Sequence, residues 1–234
     1  MLADSVTIYS PYEKIYNYWG EENVVDIPSQ IRDYLLLLPC KECPNPIETN
    51  DNPRARFLKY LFYDDANPLD KPIPTVQERL SIVFDPYNPD KPPISDKGYR
   101  IFCQSNVGQA NIIGQTILRI IMGQTVSTNP YSVTFSVNFQ ILSNYSIEAN
   151  TRSTALLRTF NMEQAIVQAL NGVNMGGVGT FMFARSGLSS ENRGTLASGS
   201  KPISDDQELV GRLLVMTFEN KVTSDEYVLN KNKF

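Results

Sequence analysis

Residues 131–141, YSVTFSVNFQI, alternate without a break. Tyr131, Val133, Phe135, Val137, Phe139 and Ile141 are apolar, and Ser132, Thr134, Ser136, Asn138 and Gln140 between them are polar. Successive side chains of a strand point to opposite faces, whereas a helix would scatter both classes around its circumference. The stretch therefore reads as a long strand with one packed face and one polar face, and it needs a sheet around it and cover on one side.

The segments on either side supply that sheet. YRIFCQS, from Tyr99, and TILRIIMGQTV, from Thr116, read as strands that precede the long one. A helix is expected within 155–170, with Met162, Ile166, Val167, Ala169 and Leu170 as its apolar stripe, a capping box of Asn161 and Gln164 for its second half, and Gly172 as its stop. GVGTFMFA is a short strand. ELVGRLLVMTFEN is a longer one, with Leu214, Met216 and Phe218 on one face and Leu213 and Val215 on the other. Between them, Arg185–Gln207 reads as a polar loop. The order strand, strand, strand, helix, strand, long loop, strand implies an α+β fold, a mainly antiparallel sheet flanked by helices.

The N-terminal region is helical and rich in proline. SPYEKIYNYWG opens on Ser10 and Pro11, DIPSQIRDYLLLLP on Asp26 and Pro28, and NPRARFLKYLFYDD on Asn52 and Pro53; TVQERLSIVFDP carries a capping box of Thr75 and Glu78. The connector 85–98, DPYNPDKPPISDKG, follows and cannot donate a regular ladder. The expected organisation is a helical region with its connector over 1–98, an α+β domain over 99–220 and a polar tail over 221–234.

Composition narrows the function. The chain of 234 residues is 41% hydrophobic, enough for a sizeable core, and its net charge of −4 shows no basic excess of the kind a nucleic-acid binder carries. No signal-peptide pattern and no membrane-length apolar run are found, so a soluble intracellular product is expected. Histidine is absent, which removes the commonest general base and metal ligand together with every histidine-dependent triad. Cys40 and Cys43 sit between Pro39 and Pro44 after a helix, the wrong polarity for a redox pair, and with Cys103 they are too few for a structural zinc site.

Apparent motifs dissolve under the same treatment. The glycines of NGVNMGGVGTFMFARSG, 171–187, stand after a helix and before a strand, the reverse of the order that presents a helix N-terminus to phosphate. GTLASGSK, 194–201, lacks the Gly-Lys-Ser/Thr of a P-loop. The pairs Glu21-Glu22, Asp64-Asp65 and Asp205-Asp206 read as solvated surface. The N-terminal tyrosines fit packing or a protein interface. No catalytic, cofactor or metal residues are assigned. A structural subunit is the leading expectation; a non-catalytic adaptor binding partners through the tyrosine-rich region is the first alternative, and a histidine-free carboxylate or metal enzyme the second.

The order from Tyr99 to Asn220, with YSVTFSVNFQIL leading to LLRTFNMEQAIVQALNG, then GVGTFMFA and ELVGRLLVMTFEN, resembles the ring-forming proteins at the head–tail junction of tailed bacteriophages, the tail terminators most of all. The resemblance implies a virion protein that forms a homo-oligomeric ring, a hexamer by family habit. It also implies neighbouring neck and tail proteins as partners, genome DNA passing through the lumen without specific binding, and no membrane. On that reading the polar strand face (Ser132, Thr134, Ser136, Asn138, Gln140) or the loop residues Arg193 and Lys201 would meet neighbouring subunits or the lumen.

Overall fold

The alternating stretch becomes β3, Ser132–Asn144, and the sheet is built around it. The computed structural model describes residues 27–36, 50, 52–86, 88, 92–93, 96–103, 115–129, 132–151, 157–175, 179–183, 199–205 and 209–221. The other strands are β1 (Ile101–Phe102), β2 (Thr116–Asn129), β4 (Asn174–Met175), β5 (Gly179–Met182), β6 (Gly199–Asp205) and β7 (Leu209–Lys221). The sheet order is β1-β2-β3-β7-β5-β4, with β6 also on β7. Among the described strands only β1 lies parallel to its neighbour. β7 pairs with β3 from Ser132↔Lys221 to Asn144↔Leu209, and its other edge is shared end to end by β5 and β6. The architecture is α+β with a mostly antiparallel sheet.

Among the described residues five α-helices accompany the sheet: α1 (Ile27–Leu36), α2 (Pro53–Phe62), α3 (Val76–Ser81), α4 (Tyr145–Asn150) and α5 (Arg158–Leu170). Three of them follow their sequence signals. Ile27, Ile31 and Leu35 recur every four residues and are buried in α1. Asn52 accepts a hydrogen bond from the Arg54 amide ahead of Pro53 in α2, and Thr75 and Glu78 form the expected capping box of α3. Ser10, Asp26 and Leu38 (the last expected to extend the apolar stripe of Ile27, Ile31 and Leu35) lie outside the described residues.

One core runs through all of this. Leu118 and Ile120 of β2, Phe135, Val137, Phe139 and Ile141 of β3, and Leu214, Met216 and Phe218 of β7 share the helix-covered face with Ile31, Leu35, Phe57, Leu58, Leu61, Met162 and Ile166. The register pair Phe135↔Phe218 stacks with ring centroids 5.1 Å apart, and Phe181 lies 5.0 Å from Phe218 on its other side. Helices α1 and α2 are thus built into the core of the sheet, on the far side of the connector. The connector also starts and finishes at one place: Phe84 N–H donates to Ile101 O and Arg100 N–H to Ile82 O. It is an excursion from the sheet edge within a single core.

Two local expectations change, and a third is borne out with an added strand. Helix α5 starts at Arg158, so Asn161 and Gln164 lie within it. Its cap is the Glu148 carboxylate, which accepts from the Thr159 amide (3.1 Å) and hydroxyl (2.6 Å). Glu148 is brought there by α4, itself capped by Asn144 at the Ser146 amide. The expected loop 185–207 contains β6, a strand recruited by the edge of β7 despite Gly199 and Pro202. The glycine-rich stretch includes β4 and β5, a pair that follows Gly172 (φ +80°) at the end of α5.

A bulge interrupts the β2–β3 register between Met122 and Thr125. There the Gln124 amide donates to the Ser136 hydroxyl at 2.7 Å, and that hydroxyl donates back to Gln124 O at 3.3 Å. A Cβ on Gly123 would overlap the Ser136 hydroxyl. Gly123→Ala is expected to cost about 1–3 kcal/mol by overpacking, and Ser136→Ala about 0.5–1.5 kcal/mol by removing the hydroxyl that pairs with the Gln124 backbone. The double variant is expected to cost less than the sum, because Ser136→Ala removes the atom the new methyl meets. Urea unfolding of the four proteins in the cycle checks this.

Candidate interaction surface

The helix-free face of the sheet is organised in cross-strand rows. Ile117, Leu142, Gly211 and Ile203 make one; Arg119, Gln140, Leu213 and Lys201 the next; Ile121, Asn138, Val215 and Gly199 the third. The first row is closed over. Ile117, Leu142 and Phe102 form a second small core with Phe84, Tyr99 and Ile203, and the Phe84 ring is 5.4 Å from those of Tyr99 and Phe102. The other two rows are covered by no described element. Arg119, Ile121, Asn138, Gln140, Leu213 and Val215 are half-buried there, and Lys201 is exposed. Cation, amide and aliphatic side chains lie side by side there, a mixed composition compatible with a non-obligate protein interface.

The polar strand face expected from sequence is only partly open. Thr134, Asn138 and Gln140 are half-buried on it. Ser136 is 5% exposed and its hydroxyl is committed to Gln124, so it is not open to a neighbour. Ser132 begins β3, but its side chain and all of Arg193 lie outside the described residues. Lys201, expected on a loop, stands on β6, and the pairing of β6 with β7 brings it to the same face as Asn138 and Gln140. Arg119 and Ile121 were hidden in a run read only as apolar and β-branched; Leu213 and Val215 were visible as the second face of β7.

The charges on the opposite side of the sheet have other work. Arg158 is fully buried and donates to Tyr60 O (2.9 Å), Tyr63 O, Asp65 O (2.6 Å) and Thr151 Oγ1 (2.9 Å). Arg100 donates to Leu61 O (2.7 Å) and Lys97 O (3.0 Å), and grips both carboxylate oxygens of Asp64 at 2.9 and 2.5 Å. Both therefore satisfy carbonyls at the C-terminal end of α2, where unpaired C=O groups and the helix dipole favour a cation. Arg79 does the same for α1 at Leu36 O (2.6 Å), and Arg54 at Tyr34 O (3.2 Å) while lying 3.9 Å over the Tyr34 ring. Glu163, also buried, accepts from Ser200 (2.5 Å) and Arg212, fastening β6 to α5. The pair Asp64-Asp65 is not a single solvated site: Asp64 serves Arg100, while Asp65 faces Lys71 at 3.6 Å. Glu21-Glu22 and the side chains of Asp205-Asp206 lie outside the described residues.

Glu148 is a second buried acid of this interior. Burial pushes its pKa above the ordinary carboxylate value, against the hydrogen bonds from Thr159 and the charge of Arg158, which pull it down. The folded protein thus takes up this proton more readily than the unfolded chain. The stability it contributes is complete below the unfolded pKa and is lost as pH rises through the raised folded one. Glu148→Gln keeps an oxygen for Thr159 and removes the titration. Denaturant unfolding over a pH series is therefore expected to show the parent losing stability relative to the variant as pH rises through that window, and a constant difference would contradict the assignment.

Burial also pushes the Cys103 thiol up to about 11, so it stays protonated at neutral pH. Cys40 and Cys43 lie outside the described residues. Among the described residues no group of three or more His, Cys, Asp or Glu side chains could hold a metal ion, and no helix is long and apolar enough to cross a membrane. No family model, curated protein or solved structure matches the chain.

Proposed function

We propose that this chain is the subunit of a homo-oligomeric ring at the head–tail junction or tail end of a tailed bacteriophage, a virion structural protein of the tail-terminator or neck type. One observation carries the reading: among the described residues, helices cover one face of the sheet, and its other face offers two cross-strand rows of mixed polar and aliphatic side chains that no described element covers. The buried charges on the covered side support it from another direction, since Arg100, Arg158, Glu148 and Glu163 are each committed to helix ends or to strand attachment. Their role is to make a stiff unit. A stiff subunit with an open face suits repetition about a closed axis, where the same contact recurs between successive copies.

The partners are then other copies, hexameric by the family resemblance, and the neck and tail proteins above and below the ring, with DNA passing through the lumen. Gold-labelled antibody against the chain, applied to purified particles and viewed by electron microscopy, is expected to mark the neck or the tail end. Label distributed over the capsid shell, or particles that contain none of the chain, would refute the assignment.

A further inference from the structure

We propose that Asn171 is a latent deamidation site, held shut in the folded chain by the seating of β5 on the end of α5, so that loss of its amide records opening of that joint. The proposal is independent of the ring reading above. Asn171-Gly172 is the single Asn-Gly pair in the chain. In such a pair the glycine nitrogen, with no Cβ beside it, can approach and attack the asparagine Cγ. An N–Cγ bond forms, the Cγ–Nδ2 bond breaks, and ammonia leaves with the proton of the attacking amide. Water then opens the cyclic imide at either carbonyl, giving aspartate or isoaspartate. The net change is amide plus water to acid plus ammonia, so water is the only co-reactant.

Both reacting residues are exposed at the end of α5, and both reacting groups are already engaged. The nucleophile, the Gly172 N–H, donates to Phe181 O at 2.8 Å. The electrophile is held as well, since Asn171 Oδ1 accepts from the Phe183 N–H at 2.8 Å. The backbone on either side is pinned: Asn171 N–H donates to Val167 O, and Phe181 N–H to Val173 O. Ring closure needs the Gly172 nitrogen eclipsed with Asn171 Cβ, and a ψ of 123° at Asn171 turns it well away. Bringing the two together means rotating a peptide group whose N–H is bonded to β5, which strands that donor and its acceptor.

The lock is therefore β5, and it is a short one. It is held by three register pairs with β7 and by Phe181, which is fully buried 5.0 Å from the Phe218 ring. A strand of this length opens locally at a smaller free energy than the long central strands it leans on. Each opening releases the Gly172 nitrogen and the Asn171 side chain together. The product also records the event. Isoaspartate routes the main chain through Cβ and Cγ, which lengthens the link between α5 and β5 and displaces the partners of Phe181 and Phe183. Either acid places a negative charge at the C-terminal end of α5, which the helix dipole disfavours.

The test incubates the full chain in mildly alkaline buffer, folded and in guanidinium chloride, and follows Asn171 by peptide mapping with mass spectrometry. The other asparagines serve as internal standards. In the unfolded chain Asn171 is expected to convert faster than any of them. In the folded chain it is expected to convert at least about tenfold more slowly than in the unfolded one, a factor set by how seldom the joint opens. Phe181→Ala, which loosens the seat of β5, is expected to raise the folded-state rate severalfold at a temperature where its melting curve still shows a folded protein. The comparison between the two states of the parent stands without the variant. Equal rates in those two states would overturn the lock, and an unfolded chain that keeps its amide would overturn the site. A folded Phe181→Ala protein that converts at the parent's rate would show that β5 is not what holds the pair.

Discussion

Replacing Arg158 with alanine is expected to lower the unfolding free energy by about 3–5 kcal/mol, the largest effect of any single polar substitution in this fold. The side chain is fully buried, and its guanidinium serves three backbone carbonyls and a threonine hydroxyl around the end of α2. Truncation strands those acceptors away from water, at about 1–3 kcal/mol for each one left unpaired, with partial relief from any water that enters. It also opens a cavity where α2, α4 and α5 meet. Arg158→Lys tests the geometry separately. An ammonium keeps the charge but cannot present the planar fork, so it is expected to recover less than half of the loss. Urea unfolding followed by far-UV circular dichroism measures both, and a loss under 1 kcal/mol for alanine would show that the carbonyls find other donors.

Gly211→Ala is expected to be almost as severe, about 3 kcal/mol, for a different reason. Gly211 lies in β7 between Leu142 of β3 and Ile203 of β6. An added Cβ would overlap the Ile141 carbonyl oxygen and come within 2.8 Å of Leu142 Cδ2. The oxygen belongs to the backbone of the central strand, so no rotamer change relieves the clash. Either β7 moves off β3 or the overlap remains, and overpacking of this sort reaches or exceeds the usual 1–3 kcal/mol. The same movement would disturb the rows of the open face, so Gly211→Ala is expected to lose assembly even at temperatures where the subunit stays folded. A thermal melt and a mass measurement on the same sample separate the two effects.

The parts of this fold that were legible in the sequence are those whose cause is local. The alternation of 131–141 determines β3 and its buried face, because a period of two has only one regular solution. Asn52-Pro53 and the Thr75–Glu78 pair mark helix starts for reasons contained within four residues. What stayed hidden is caused from a distance. Strand β6, GSKPISD, has poor strand composition and exists because the edge of β7 from Leu209 to Val215 accepts it. The helix expected within 155–170 is there as Arg158–Leu170, but its cap could not be read locally, because Glu148 comes from the preceding helix, ten residues before Arg158. The four arginines that close α1 and α2 carried no sequence signal of that role, since nothing near Arg100 or Arg158 in sequence announces the carbonyls of residues 60–65.

The interaction surface divides in the same way. Asn138 and Gln140 could be placed on one face from periodicity alone, and so could Leu213 and Val215 on theirs. That these are the same face, and that Arg119 and Lys201 join them, depends on the order β2-β3-β7-β6 and its register. Periodicity places a residue on a face; only the pairing says which residues lie beside it. Ser136 shows the opposite correction, a polar position with the right period whose hydroxyl is spent inside the sheet on a bulge.

The central claim is that the chain closes on itself with fixed stoichiometry. Native mass spectrometry of the purified full chain over a range of concentrations tests it most directly. A single closed species at a fixed multiple of the 26.4 kDa subunit, populated more strongly with concentration and never exceeded, is the predicted result. A monomer at every concentration, or an open series of ever larger masses, would contradict it.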